Sequence, residues 1–445
     1  MMAIVPARAR RGGFASAFER TAGGWRASVS SHPARLLLPF FALFVLIALF
    51  FPEHEDDEQG YLELARNLVH GHYATGRPDA LLDADPSYPD LWFGPGLPLA
   101  LVGPVAADLP LSIIRLTGPL FLFLALIVFF KLAQRSMSTR AALLATWALG
   151  LYLPFYTVLP NLHSEPLAVL FVVLALYATA RLSEQGSGRW LALGAGALAG
   201  LALTRVDYGW VLTLVLAVLI VWWALSRSRT ARRLSAMYAL GLVLCVPWLA
   251  YTTAETGRVL QWGNSGGLSL YWMSSPYAHD LGDWQRGDWA FTDPNLAQHR
   301  PFFETLRGLT LAEQNAKLER RALANIRDHP MKYSENVAAN LSRMFFNAPY
   351  SYSAQRLSAL YFALPNAVLL GTILFASFVA LRVRRALPAP AAPFAIFAVA
   401  SFGLHALVAA YPRMLMPIVP VIVWFAATTI ANNVRLVRPM TQGDG

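Results

Sequence analysis

The sequence predicts an all-α membrane protein that crosses the bilayer about ten times. Three observations carry this. Hydrophobic residues make up 56% of the chain and charged ones 14%, with a mean hydropathy of +0.44, which is outside the range of a soluble globule. Ten apolar runs approach the length of about 20 residues that a spanning helix needs. The arginines gather on alternate connections between those runs, as they do where short loops stay in the cytoplasm.

Residues 1–35 carry Arg8, Arg10, Arg11, Arg20, Arg26 and Arg35 with almost no acid. The run 36–51 starts too late for a secretory signal, and no small-residue cleavage site follows it. It reads as a first span with the amino terminus in the cytoplasm. The remaining runs are 111–131, 139–158, 164–181, 190–205, 208–225, 235–252, 357–381, 391–411 and 413–430. In a ten-span chain the inner connections hold Lys131, Arg135 and Arg140, then Arg181 and Arg189, then Arg227, Arg229, Arg232 and Arg233. Arg382, Arg384 and Arg385, and finally Arg435 and Arg438, complete the set. Only Glu19, Glu184 and Asp444 oppose them on that side. The net charge of +10 is therefore mostly a topology signal, and no nucleic acid partner is expected. The single cysteine, Cys245, allows no disulfide within the chain and no cysteine metal cluster.

This organisation divides the chain into a basic cytoplasmic segment 1–35, a membrane part 36–252 with a first outer loop 52–110, an outer loop or cap 253–355, and carboxy-terminal spans 356–445. A multi-pass plasma (inner) membrane protein with both termini cytoplasmic is expected. The cap reads as helical from Phe302 to Arg327 and from Pro330 to Phe346, with Glu313 and Lys317 spaced to pair across one turn. Its helices equally fit the membrane interface.

The polar stretch Glu53-His54-Glu55-Asp56-Asp57-Glu58-Gln59-Gly60-Tyr61 follows directly on the first span. Ionised carboxylates are costly near hydrocarbon, so a cluster there points to function. The residues after it read as a helix ending near Gly71, with Asp56 or Asp57 at its start. The plain alternative is a solvated acidic cap on a surface helix. Four further features go beyond spanning. His163-Ser164-Glu165-Pro166 opens the fourth span, where helix capping is the competing reading. Arg205 and Asp207 lie at the outer turn between the fifth and sixth spans, where a local ion pair competes. Arg413 opens the last span, where a snorkelling anchor competes. His405 lies within the ninth span and is more often a satisfied helix contact than a catalyst. Outer-face arginines suit the phosphate of a lipid, which a guanidinium binds through two oxygens.

The ordered set of motifs resembles the GT-C class of integral membrane glycosyltransferases. Within it the chain is similar to the dolichyl-phosphate-mannose protein mannosyltransferase branch, which includes lipid A aminoarabinose transferases. The residues that carry the resemblance are Asp57-Glu58-Gln59-Gly60-Tyr61, Gly94-Pro95-Gly96-Leu97-Pro98, Ser164-Glu165-Pro166-Leu167 and Leu203-Thr204-Arg205. Thr256-Gly257-Arg258-Val259, Asn264-Ser265-Gly266-Gly267-Leu268 and Tyr411-Pro412-Arg413 with Pro417 and Pro420 extend it over roughly 36–430. The departures are three adjacent acids, Asp56, Asp57 and Glu58, and a glycine where the family often has a second proline.

The resemblance implies transfer of a sugar from a polyprenyl-phosphate donor to an acceptor hydroxyl on the outer side, by one inverting displacement. Asp57 would be the base, with Glu58 and Asp56 beside it as catalytic candidates. Arg205 and Arg413 would take the donor phosphate, and His163, Glu165 and Tyr61 would orient the lipid-linked sugar. No metal and no other cofactor is expected. The partners would be the membrane, the polyprenyl-phosphate sugar, and an acceptor that is a protein, a glycolipid or an envelope polymer. A polysaccharide polymerase or ligase, or a non-enzymatic transporter, stands as the alternative.

Overall fold

A computed structural model describes residues 2–3, 33–51, 56–73, 91–352, 357–383 and 390–436. Glu53, His54, Glu55, Arg384, Arg385, Arg438 and most of the basic amino-terminal segment lie outside the described residues, as does the side chain of Asp56. The helices in chain order are α1 (Pro33–Phe50), α2 (Asp56–Val69), α3 (Gly96–Ala106), α4 (Leu111–Arg115), α5 (Thr117–Ala133) and α6 (Thr139–Gly150). Then come α7 (Glu165–Gln185), α8 (Gly188–Thr204), α9 (Asp207–Ser226), α10 (Arg229–Leu244) and α11 (Val246–Thr256). The cap holds α12 (Gly266–Met273), α13 (Trp289–Thr292), α14 (Arg300–Glu304), α15 (Leu311–Asp328) and α16 (Pro330–Phe346). The last four are α17 (Leu360–Val383), α18 (Ala391–Val408), α19 (Pro412–Leu415) and α20 (Val419–Asn433). The strand pairing among the described residues is confined to Met2–Ala3 against Arg435–Leu436.

Five helical segments are long and apolar enough to cross a membrane: Leu111–Ala133, Glu165–Gln185, Asp207–Ser226, Leu360–Val383 and Ala391–Val408. The pair α10–α11 makes a sixth, bent by 45°. Pro247 explains the bend, since it lacks an N–H and crowds the turn before it. α1, α3 and α20 are apolar but shorter. Among the described residues five or six helices thus qualify as full spans, and the expected count of ten is not reached by length and composition. The run 139–158 is the clearest departure. It breaks after Gly150 into a short 3-10 turn, Leu153–Val158, where Tyr152 Oη donates to Asn366 Oδ1 at 2.6 Å and Tyr156 Oη to Gly150 O at 2.7 Å.

α7 is the hub of the bundle, packed between α5 and α8, with α8 against α10 and α10 against α9. One apolar core runs through these helices from Leu37 on α1 to Trp424 on α20. A second, smaller core sits within the cap, around Tyr271, Trp272, Phe303 and Leu318. Glu313 does not pair with Lys317. It closes a capping box with Thr310, and Lys317 donates to Thr305 O at 2.8 Å. A carboxylate in the first turn is held better by free backbone N–H groups than by a flexible ammonium.

α16 fastens the cap to the bundle by a buried polar stripe. Asn336 donates to Met273 O and Ser275 O, both at 3.1 Å. One turn on, Asn340 donates to His405 O at 3.1 Å and Ala406 O at 2.9 Å, and accepts from Ala410 N at 2.9 Å. The end of α18 and the chain leading to Arg413 are thereby fixed. Asn340, satisfied on both sides, specifies one geometry, while Asn336 Oδ1 is buried without a hydrogen-bond partner.

Candidate active site

Consecutive spanning helices run in opposite directions, so the start of α7, the end of α8, the start of α9 and the end of α18 share one end of the bundle. The polar residues flagged in the sequence stand at those four ends and on α2 and α19.

α2 is the polar helix after the first span. It starts at Asp56 and ends before Gly71, whose φ of +82° needs a residue without Cβ. Its inner face buries Glu58, Tyr61, Leu62, Leu64 and Ala65. Asp57 lies on the flank, with its side chain 25% exposed. Asp57 Oδ2 accepts from Arg413 Nη1 at 2.8 Å, across 356 positions of sequence. The Arg413 side chain is 40% exposed, so this pair borders open space.

Behind it lies Glu165, the first residue of α7, with 2% of its side chain exposed. Glu165 Oε1 accepts from Arg205 Nη1 at 2.6 Å and faces Arg413 Nε at 3.9 Å. His163 Nδ1 stands 3.9 Å from Glu165 Oε2. A carboxylate this buried is tolerable only among cations. Arg205 Nε lies 3.5 Å from Asp207 Oδ1, and Asp207 Oδ2 is 2.6 Å from His405 Nε2. The result is one row of alternating charge, Asp57, Arg413, Glu165, Arg205 and Asp207, that ends on the His405 ring.

Burial by itself would raise the Asp57 carboxyl, but the charge and hydrogen bond of Arg413, with smaller help from His163 and Arg205, hold it below the ordinary carboxylate range. Tyr61 is pushed the other way, by burial first and then by the carboxylates of Asp57 and Glu165. It stays a neutral phenol with a proton to donate, its ring against Phe93 at 4.4 Å.

Glu58 is held elsewhere. Its two oxygens accept from Arg115 Nε at 2.8 Å and Nη2 at 2.6 Å, and Leu162 N donates to Oε2 at 3.1 Å. Both partners are buried. Thus Asp57, Arg413, Glu165, Arg205, His163 and Tyr61 come together, while Glu58 faces a different arginine. Arg115, Asp207 and His405 complete the arrangement and were not among the expected site residues. The signal for Arg115 is an arginine inside the apolar run 111–131. Asn161, 2% exposed, has neither end of its amide hydrogen-bonded.

The glycines of the 94–98 motif explain how Arg205 is presented. A Cβ on Gly94 would lie 2.2 Å from Leu203 O, and one on Gly96 2.4 Å from Thr204 Oγ1. The backbone of 94–96 thus rests directly on the residues before Arg205, which a side chain would forbid. Among the described residues no group of three or more His, Cys, Asp or Glu is placed to hold a metal ion.

With this geometry in hand, the likeness to known proteins is informative. Residues 105–251 match the family model for dolichyl-phosphate-mannose-protein mannosyltransferase. No curated protein matches the chain. Among solved structures, the oligosaccharyltransferase AglB from Archaeoglobus fulgidus, in complex with an inhibitory peptide and a dolichol-phosphate, aligns at TM-score 0.51. The identity is 14%, over 94% of this chain and 51% of that one. The apo form of the A. fulgidus oligosaccharyltransferase aligns at TM-score 0.53 and 14% identity, over 89% and 50%. The chain has a GT-C fold. It spans about half the length of these GT-C structures. ArnT from Cupriavidus metallidurans, bound to undecaprenyl phosphate, aligns at TM-score 0.40 and 15% identity over 89% and 77%, too loosely to bear an argument.

Proposed function

We propose that the protein is a membrane glycosyltransferase that moves a sugar from a polyprenyl-phosphate donor to an acceptor hydroxyl. The observation that carries this reading is the Asp57–Arg413 pair, which joins a carboxylate to a partly exposed guanidinium beside a second arginine. Asp57 takes the proton of the acceptor hydroxyl. The oxygen attacks the anomeric carbon as the bond from that carbon to the phosphate oxygen breaks. The configuration inverts, and polyprenyl phosphate leaves with one more negative charge, which Arg413 and then Arg205 stabilise.

The pair also orders these events. While Asp57 holds Arg413, the carboxylate is a weak base. A phosphate that takes over Arg413 removes the cation that depressed Asp57, and burial then raises its basicity. Donor binding thus arms the base. Tyr61, neutral and close to Asp57 and Glu165, is suited to a sugar or phosphate oxygen, and His163 to orienting Glu165. Glu58 acts from behind, by holding α2 in place.

Binding of undecaprenyl phosphate to purified protein tests the phosphate site. Arg413→Ala should weaken affinity by about ten- to hundredfold, the worth of a charge-assisted bond or two. Arg413→Lys should fall between, since it keeps the charge but loses the planar fork. Arg205→Lys is the better probe at the inner position, because it leaves Glu165 compensated, and it should also weaken binding. Unchanged affinity in all three variants rejects the clamp.

The arginine asymmetry supports a cytoplasmic amino terminus, carboxy terminus and Arg227–Arg233 loop, with the acid site outside, in the plasma (inner) membrane. Native Cys245 is buried, so introduced cysteines report cleanly. A membrane-impermeant thiol reagent added outside should label Glu304→Cys and spare Arg229→Cys. The reverse pattern would overturn the orientation and, with it, the supply of an outer-face lipid donor.

A further inference from the structure

His405 closes the row of charges at its inner end. Its Nδ1 lies 2.7 Å from Ser401 O and its Nε2 2.6 Å from Asp207 Oδ2. Both oxygens can only accept. Satisfying both takes two N–H donors, which is the cationic ring. Asp207 meets one further charge, Arg205, whose Nε lies 3.5 Å from Oδ1. From α9, Asp207 and Tyr208 face the ring, Tyr208 with centroids 5.7 Å apart; Arg205 and Glu165 follow beyond Asp207. From α16, Tyr333 donates to Leu407 O, and Asn340 donates to His405 O and Ala406 O and accepts from Ala410 N and Arg343 Nη2. Arg343 is taken up by Pro349 O and Leu281 O. α12 and α20 carry no Asp, Glu, Lys or Arg.

We propose that His405 is a positioning residue that sets, through Asp207, how much of the Arg205 charge faces a bound phosphate. This rests on the phosphate reading of Arg205 given above and extends it to proton control. With two protons on the ring, Asp207 is balanced by His405. Arg205 then leans on Glu165 at 2.6 Å and leaves Asp207 at 3.5 Å. With one proton lost, the ring keeps its Nε2–H on the carboxylate, the stronger acceptor, but no longer carries charge. Asp207 turns onto Arg205, which then carries two carboxylates and attracts phosphate less. The Asp207 side chain is 32% exposed against 4% for His405, so protons reach the pair from the Asp207 side. A lipid phosphate donor should therefore bind more tightly in an acidic environment.

The experiment measures undecaprenyl phosphate affinity of full-length protein across about pH 5 to 8, where imidazole titrates. The second ionisation of the phosphate, near pH 6, is common to all variants, so the readout is the ratio of wild-type to His405→Gln affinity. That ratio should fall by about three- to tenfold as pH rises, the size of one charge acting across a few ångströms at a protein surface. Asp207→Asn should flatten the wild-type pH dependence to that of the probe alone, and it serves where His405→Gln does not fold. In the Asp207→Asn background, His405→Gln should change nothing further. A flat ratio in folded proteins overturns the proposal while leaving the phosphate site standing. So does an undiminished effect of His405→Gln without Asp207. Failure of wild type to bind undecaprenyl phosphate at any pH overturns both.

Discussion

Asp57→Asn should lower sugar transfer by about 10²–10⁴-fold, the usual worth of a positioned base, while the protein stays folded and inserted. The amide keeps the shape of the carboxylate and can still accept from Arg413, but it cannot take a proton from a hydroxyl. Stability should change little, because the Asp57–Arg413 pair is partly exposed and such pairs contribute about 1 kcal/mol or less. The checking measurement is turnover with a polyprenyl-phosphate sugar, paired with a thermal melt. Near-normal turnover in Asp57→Asn with loss in Asp56→Asn would move the base by one residue. Silence in both would return the acidic stretch to a helix cap.

The pH profile adds a second view of the same base. Asp57 lies below the ordinary carboxylate range, so it remains deprotonated at every pH above about 4. Protonation of Asp57 in the free enzyme should then cause no fall of kcat/KM until the medium is more acidic than that. Removing Arg413 leaves burial as the dominant influence, and burial raises a carboxyl. The acid limb of Arg413→Ala should therefore shift towards neutral pH. An acid limb at the same place in both proteins would separate Arg413 from the base.

How much of this was legible beforehand depends on the distance over which each feature is written. The helices follow from runs of apolar residues, a local pattern, and the acid after the first span is visible because charge beside hydrocarbon is conspicuous. Breaks within runs are less visible. Residues 139–158 are apolar but for Arg140 and three threonines, and the break after Gly150, ahead of Pro154, is held by Tyr152 reaching Asn366, 214 positions away. The site is hidden in the same way. Arg413 meets Asp57 across 356 positions and His405 meets Asp207 across 198, and no periodicity records such pairings. Motif order placed Asp57, Arg205 and Arg413 on one list. It could not divide the acids, since Asp57 and Glu58 are neighbours in sequence and differ only in which arginine each one faces.

That division yields the largest expected effect on stability. Glu58 and Arg115 form a two-bond pair with 3% and 6% of their side chains exposed, and Leu162 N adds a third bond to the same carboxylate. Removing one partner strands a buried charge. Arg115→Met should therefore cost about 3–5 kcal/mol, read as a large drop in the melting temperature of the purified protein, and Glu58→Leu should cost a similar amount. Replacing both with apolar residues of similar volume removes both charges and is often close to neutral. The double variant Glu58→Leu with Arg115→Met should accordingly recover most of the lost stability. Leu162 N then keeps one unmet bond, worth about 1 kcal/mol. If Glu58 only holds α2 against the bundle, the double variant should also recover much of the transfer activity, because Asp57 returns to its place beside Arg413. A double variant that melts like wild type yet transfers no sugar would instead put the Glu58 carboxylate in the chemistry, acting on the sugar from a position it does not occupy while bound to Arg115.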